Sequence, residues 1–177
     1  MFSINSPRPE ASPTHLHLRR GDTVDPAFAD LCAEILGRGA ALRVKVTGWS
    51  MAPFLRGGEV LTIKPCSSQG VRVGDVVLFR TREGCLAIHR VLRRRRQADD
   101  GWVFHTKGDA RAVLDEPIPA SCVLGKVCAV ERDPGSPTAR YWNLESACWK
   151  AINRLIAMGG LLGTRVTSVL SRLRTRP

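Results

Sequence analysis

A series of short segments rich in Val, Ile and Leu limits the fold of this chain more than any other feature of the sequence. The segments lie between residues 40 and 133, are separated by Gly, Pro and Asp, and read ALRVKV, EVLTIKP, DVVLFR, LAIHRVL, GWVFHT and CVLGKVCAV. Segments of this length and composition, about ten residues apart, are typical of β-strands joined by short turns. The sequence therefore predicts a mainly β protein, with a compact and mostly antiparallel β domain at residues 40–133.

Helices are predicted on both sides of the β domain. Residues 23–39 place Pro26 after an Asp cap, apolar side chains at helical spacing and Gly at the end, which predicts a short amphipathic helix. Residues 134–177 are predicted to form a turn-rich linker and then a basic amphipathic helical tail, with Gly159-Gly160 as a potential break. Residues 1–22 contain prolines without an apolar period and are predicted to be a flexible arm.

The strong positive charge of the chain points to an anionic partner. Lys and Arg number 27 and Asp and Glu 16, which gives a net charge of +11. Four of the arginines occur in Arg93–Gly101, which is predicted to be a solvated hairpin loop, and Arg172, Arg174 and Arg176 lie in the tail. Because only 5 Phe, 4 Trp and 1 Tyr are present, few aromatic residues are available to stack on bases. We therefore expect the tail either to contact an anionic membrane or to pack on the β domain, and we favour these partners over nucleic acid.

Cysteine usage and hydropathy indicate the compartment. The six cysteines contain no C-x-x-C pair and are too sparse for a disulfide scaffold. The sequence has no uncharged apolar stretch of about 18 residues, and residues 1–20 lack the apolar core of a secretory signal. We expect a cytoplasmic protein, with peripheral membrane association left open. No histidine has a partner at metal-ligand spacing, and neither a metal nor another cofactor is expected.

Ser50 is the candidate nucleophile. It lies in VTGWSMAPFL, where a predicted strand enters a turn constrained by Gly48 and Pro53. A serine in such a turn is exposed at the edge of a sheet, and the backbone N–H groups beside it can stabilise an oxyanion. Met51 is expected to line the substrate cleft, together with Pro53, or to pack under the turn. Taken alone, the same motif is also compatible with Ser50 acting only as a helix cap.

Two further residues can complete a catalytic group with Ser50. His89 lies in the apolar segment LAIHRVL, and an imidazole can accept the serine proton near neutral pH. Asp109 follows a predicted strand in FHTKGDA, where its carboxylate can orient the second ring nitrogen of His89. These three residues can meet only if three strand ends converge.

Five motifs between about residues 44 and 132 resemble the type I signal peptidase family. They are GWSMAP at Gly48–Pro53, VGDVVLF at Val73–Phe79, IHRV at Ile88–Val91, TKGDA at Thr106–Ala110 and VLGKV at Val123–Val127. Because residue 89 is a histidine, the motifs are most similar to the subgroup of this family that uses a histidine as the general base. The resemblance implies the family's β fold and a Ser-His-Asp type site. In that site Ser50 is the nucleophile and oxyanion donor, His89 the general base and Asp109 the orienting group.

The chain departs from the family pattern at three points. Gly48 stands where the family often has a serine, Arg111 stands where Asn is common, and no membrane anchor is evident. The main expectation is a membrane-associated serine endopeptidase, a hydrolase that processes an extended leader or precursor peptide. Two alternatives remain: a self-cleaving protease similar to SOS repressors, which share Gly-x-Ser-Met, and a non-enzymatic basic β module that binds nucleic acid.

Overall fold

The fold is a mainly β structure flanked by two helices, as predicted from the sequence. The computed structural model describes residues 15–18, 26–97 and 101–174, with side chains described for residues 27–97 and 101–161. Within these ranges the elements are β1 (His15–Leu18), α1 (Pro26–Gly37), β2 (Leu42–Val46), β3 (Val60–Lys64), β4 (Val76–Arg80), β5 (Leu86–Arg96), β6 (Trp102–Lys107), β7 (Ile118–Pro119), β8 (Val123–Arg132), β9 (Arg140–Asn143) and α2 (Ala147–Arg174).

The strands form one sheet in the order β1-β2-β3-β8-β4-β5-β6-β7, and β9 also pairs with β8. All pairings are antiparallel except that of β1 with β2. The ten-residue strand β8 pairs with β3, β4 and β9 and thereby joins the two halves of the sheet. This arrangement places β5, which carries His89, between β4 and β6.

Two apolar clusters cover opposite faces of the central strands. Val76 and Leu78 belong to a cluster that also contains residues of α1, β2 and β3, whereas Val77 and Phe79 belong to a second cluster with residues of β5, β6 and β7. Successive side chains of a strand point to opposite faces. The continuous apolar sequence of β4 is explained because both of its faces are buried.

The N-terminal arm contains one element that the sequence did not predict. His15–Leu18 forms β1 and pairs in parallel with β2. The remaining positions of the predicted flexible arm, 1–14 and 19–22, lie outside the described residues.

The prediction that the four arginines lie in a loop was wrong, although Arg95 and Arg96 are exposed as expected. Arg93–Arg96 belong to β5 and pair with β6, so the hairpin turn lies further along the chain. Arg94 lies over the ring of Trp102, with 4.2 Å from its guanidinium carbon to the ring centroid, and donates a hydrogen bond of 2.7 Å to the carbonyl of Val71. A guanidinium can stack on an aromatic face while it hydrogen-bonds, which allows arginine inside a paired strand.

The C-terminal region also differs from the prediction. The short strand β9 lies within residues 134–177, where no strand was predicted, and α2 continues through Gly159-Gly160 without a break. One face of α2 packs on the β domain, where Asn153 and Ala157 are buried, while Leu155 and Met158 are 68% and 59% exposed. Among the described residues, no helix combines the length and apolarity that crossing a bilayer requires.

All six cysteines are free thiols. Cys32 is buried in the core, and this burial raises the pKa of its thiol to about 11. A thiol with so high a pKa stays protonated at neutral pH and is a poor nucleophile. Cys32 therefore acts as a small apolar side chain.

Candidate active site

Ser50, His89 and Asp115 form a continuous hydrogen-bonded chain. Ser50 lies in the turn that follows β2, and His89 lies in the middle of β5, directly opposite Val77 of β4. The Oγ of Ser50 is 3.3 Å from Nε2 of His89, and Nδ1 of His89 is 2.6 Å from Oδ2 of Asp115. A hydroxyl, an imidazole and a carboxylate in this order are the groups of a serine hydrolase site.

Asp115 is held in place by more than its contact with His89. Its Oδ2 accepts a hydrogen bond of 2.8 Å from the hydroxyl of Thr106, and its backbone N–H donates to the Thr106 carbonyl at 2.9 Å. Thr106 is fully buried in β6. The carboxylate that faces His89 is therefore anchored to the neighbouring strand, which fixes its direction.

The prediction that Asp109 orients His89 is wrong. Asp109 instead pairs with Arg90, at 2.9 Å from Oδ1 to Nε and 2.7 Å from Oδ2 to Nη2. His89 and Arg90 are neighbours on a strand, so their side chains point to opposite faces of the sheet. Asp109 lies on the Arg90 face and Asp115 on the His89 face.

Arg90 connects the turn that carries Asp109 to helix α2. The guanidinium is completely buried, and its Nη1 donates to the carbonyl of Gly74 at 3.0 Å and to Oδ1 of Asn153 at 2.7 Å. Its guanidinium carbon also lies 4.4 Å from the ring centroid of Phe54, four residues after Ser50. The Arg90 side chain thus connects β5, the Asp109 turn, α2 and the Ser50 turn.

Gly108 allows the Ser50 turn and the His89 ring to approach one another. A Cβ atom at this position would lie 2.6 Å from the Ser50 carbonyl oxygen and 3.1 Å from Nε2 of His89, so it does not fit without movement. Two hydrogen bonds hold the turn that follows Gly108. The Ala110 N–H donates to the Ser50 carbonyl at 2.9 Å, and Nζ of Lys107 donates to the Arg111 carbonyl at 2.6 Å. Lys107 is buried rather than solvated.

On the expectation from the sequence that Ser50 and His89 hydrolyse a peptide, Gly108→Ala should lower kcat by about 100-fold, because displacement of reacting groups by about 1 Å has an effect of that size. The comparison is with Gly101→Ala, since a Cβ at Gly101 meets no atom within 4 Å. Steady-state peptide hydrolysis would measure both variants. Equal kcat values for the two would contradict the assigned role of Gly108.

The backbone around Ser50 leaves room for an oxyanion. Ser50 lies in a turn outside the helices and strands, and we expect its backbone N–H to donate to a substrate carbonyl oxygen. Gly48 contributes no side chain, and a Cβ there would meet no atom within 4 Å. The space beside Gly48 is therefore large enough for a side chain that could add a hydrogen-bond donor.

The two predicted cleft residues lie in different environments. Met51 is only 4% exposed and belongs to the apolar cluster that also contains Leu55, so it packs under the turn. Pro53 is exposed, and the Ala52–Pro53 peptide bond is cis. The structure therefore corrects the assignment of Met51 to the cleft surface, whereas that of Pro53 stays a prediction.

Asp115 is the His89 partner that the sequence analysis missed. A signal was present, because an arginine in the apolar sequence IHRV needs a carboxylate partner as much as the histidine does. The segment after β6 contains two aspartates, Asp109 and Asp115, one for each partner. Sequence separation alone did not show which aspartate pairs with His89 and which pairs with Arg90.

Comparison with known proteins does not assign the chain to a family. No family model matches the sequence, and no curated protein matches it as a relative. Within the described residues, no group of three or more His, Cys, Asp and Glu side chains is arranged to hold a metal ion. What the site can do is therefore inferred from the geometry of its own residues.

Proposed function

We propose that this protein is a serine endopeptidase, similar to signal peptidase I, that cleaves an extended leader or precursor peptide. The observation that carries the proposal is the chain of contacts from Ser50 Oγ through the His89 ring to Asp115, with distances of 3.3 and 2.6 Å. The motif resemblance supports the same function, since it independently implies Ser50 as the nucleophile and His89 as the base.

In the proposed reaction, Ser50 Oγ attacks the scissile carbonyl carbon while its proton moves to Nε2 of His89. Asp115 accepts a hydrogen bond from Nδ1–H, which keeps Nε2 free to take the proton and stabilises the imidazolium. The Ser50 N–H donates to the oxyanion. His89 then protonates the leaving amine, and the acyl-enzyme is hydrolysed by a water molecule whose proton passes to the same nitrogen.

The decisive experiment is digestion of a peptide library by the purified protein, with the products identified by mass spectrometry. The wild-type protein should produce defined cleavages that Ser50→Ala and His89→Ala do not produce. Ser121→Ala is the matched control, because Ser121 is exposed and lies outside the site. Cleavage that persists in Ser50→Ala would exclude this function.

The open space at Gly48 makes a gain of activity testable. Gly48→Ser should raise kcat by about tenfold, because a hydroxyl there can supply a second donor to the oxyanion. Gly48→Ala is the matched control, since it adds the Cβ without the donor. If the two variants have equal kcat, the added hydroxyl does not reach the oxyanion.

We further propose that the protein acts in the cytoplasm and contacts an anionic membrane through α2. The exposed face of the helix carries Leu155 and Met158, and Lys150 and Arg154 are also exposed. Apolar side chains flanked by cations are suited to an anionic lipid surface.

In co-sedimentation with vesicles, the protein should bind a phosphatidylglycerol mixture more strongly than pure phosphatidylcholine. The Leu155→Asp/Met158→Asp variant should lose most of this binding, because it removes the apolar contact and adds negative charge. The control is Tyr141→Asp, an exposed position outside α2. Equal binding to both vesicle types would contradict the membrane proposal.

A further inference from the structure

A cavity of about 590 Å³ lies beside the catalytic histidine. It is bounded by the β4–β5 hairpin on one side and by residues between Arg111 and Cys122 on the other, and it opens to solvent. His89 and Asp115 form part of its wall, whereas Ser50 does not line it. The cavity is thus adjacent to the catalytic chain on the side of Asp115, and a group bound there would lie away from the scissile bond itself.

The lining of the cavity combines polar side chains with a group of apolar ones. Phe79, Ala87, Ile118, Pro119 and Cys122 line it. A dry apolar cavity of about 150 Å³ already holds a benzene-sized group. The volume here is therefore sufficient for a bulky apolar side chain together with part of its backbone.

Three arginines line this cavity, and they differ in their partners. Arg80 pairs with Asp30 at 2.6 Å, and Arg82 lies 3.8 Å from Glu116. The side chain of Arg111 is exposed and has no ion-pair partner within the part of the chain that the structure describes. Its guanidinium is available to a ligand.

Arg111 is also close to the catalytic serine. Its N–H donates to the Gly108 carbonyl at 2.9 Å, and the neighbouring Ala110 N–H donates to the Ser50 carbonyl. A Cβ at Gly108 would lie 2.6 Å from the Ser50 carbonyl oxygen and 3.2 Å from Cγ of Arg111, so an extended peptide that reaches Ser50 would pass near the Arg111 side chain. A guanidinium prefers a carboxylate, which it can bind through two parallel hydrogen bonds.

We propose that the cavity is a substrate subsite for a bulky apolar side chain, and that Arg111 pairs with the carboxylate of an acidic residue next to it. The substrate class is thus a peptide with an adjacent apolar and acidic residue, a few positions from the cleaved bond. This inference rests on the proposed peptidase function and adds the specificity of the same site.

Binding of labelled peptides to the inactive Ser50→Ala protein tests the subsite without requiring cleavage. Three peptides of equal length, with the pair Phe-Glu, Phe-Gln or Ala-Glu, are titrated by fluorescence anisotropy. We expect both Phe-Gln and Ala-Glu to bind about tenfold more weakly than Phe-Glu. The Phe-Gln peptide loses one partly exposed charged hydrogen bond, and the Ala-Glu peptide loses one buried apolar side chain. Equal affinities for the three peptides would overturn the proposal.

Variants in the same inactive background separate the two parts of the subsite. Arg111→Ala should remove the preference for Glu over Gln, and Arg111→Lys should retain part of it, whereas Arg72→Ala, an exposed arginine outside the cavity, should leave it unchanged. Ala87→Leu narrows the cavity and should reduce the preference for Phe over Ala. The Arg111 series does not depend on repacking, so it decides the proposal even if Ala87→Leu does not fold.

The outcomes also distinguish this proposal from the function on which it rests. Selective binding that depends on Arg111, combined with a wild-type protein that cleaves no peptide, would retain the subsite and reject the peptidase function. Cleavage that depends on Ser50, combined with no preference among the three peptides, would retain the peptidase function and reject the subsite.

Discussion

The Asp115→Asn variant is expected to hydrolyse peptides with a kcat about 10³- to 10⁴-fold below that of the wild-type protein. The carboxylate accepts a hydrogen bond from Nδ1 of His89 at 2.6 Å, which leaves Nε2 free to take the proton of Ser50. An amide at position 115 can donate its N–H to Nδ1, which favours the tautomer with the proton on Nε2. That tautomer cannot act as the base. The amide also carries no charge to stabilise the imidazolium.

Asp109→Asn is the matched control for this prediction. It makes the same chemical change six residues earlier in the loop, but its side chain faces Arg90 and not His89. Its kcat should stay within a few-fold of the wild-type value at a temperature where the protein is folded. Both variants should be assayed at saturating peptide, with a melting curve for each. Loss of kcat in Asp109→Asn, with Asp115→Asn near normal, would restore the assignment made from sequence.

The sequence predicted Ser50 and His89 because each is marked locally. Ser50 is bracketed by turn-forming residues, and His89 is a titratable side chain in an apolar strand. The third member depends on how a loop returns to the sheet. Asp109 follows β6 immediately and lies on the Arg90 face, whereas Asp115 returns to the face of Thr106 and His89. Strand alternation shows that His89 and Arg90 need separate partners, but it does not assign them.

The errors in the prediction of the fold also arise from tertiary contacts. A break at Gly159-Gly160 was expected because each glycine disfavours a helix by about 1 kcal/mol. In the structure, a Cβ at Gly160 would be 3.5 Å from Leu92 and from the Lys107 side chain, so α2 passes close to β5 and β6 at this point. The arginines of β5 were assigned to a loop by their charge, but they belong to a strand because β6 pairs with them. Neither contact can be read from local composition.

The close passage of α2 also explains a glycine that precedes β4. Gly74 has a φ of +98°, and a Cβ there would lie 2.9 Å from the backbone of Asn153 and Arg154. The carbonyl of Gly74 and the side chain of Asn153 both accept hydrogen bonds from Arg90. Helix α2, the turn before β4 and the Asp109 loop therefore converge on one buried guanidinium.

Removal of that guanidinium should destabilise the fold more than any exposed substitution. Arg90→Met is expected to lower the free energy of unfolding by about 3–5 kcal/mol, because it leaves the Asp109 carboxylate and the two acceptors on Gly74 and Asn153 without their donor. For a chain of this size the melting temperature should fall by roughly 10 °C. Chemical denaturation and a thermal melt would measure both quantities.

Two further variants show whether the loss arises from an uncompensated buried charge. Arg90→Met/Asp109→Leu should recover much of the lost stability, because replacing both members of a buried ion pair by apolar groups is often nearly neutral. Arg38→Met, which breaks an exposed pair with Glu34, should change the free energy of unfolding by less than about 0.5 kcal/mol. A double variant less stable than Arg90→Met would show that Arg90 acts mainly through its contacts with α2 and Phe54. A change of roughly 0.5–1 kcal/mol in the free energy of unfolding shifts the melting temperature by about 2 °C. If Arg90→Met melts within that range of the wild-type protein, the convergence of these elements on Arg90 contributes little to stability.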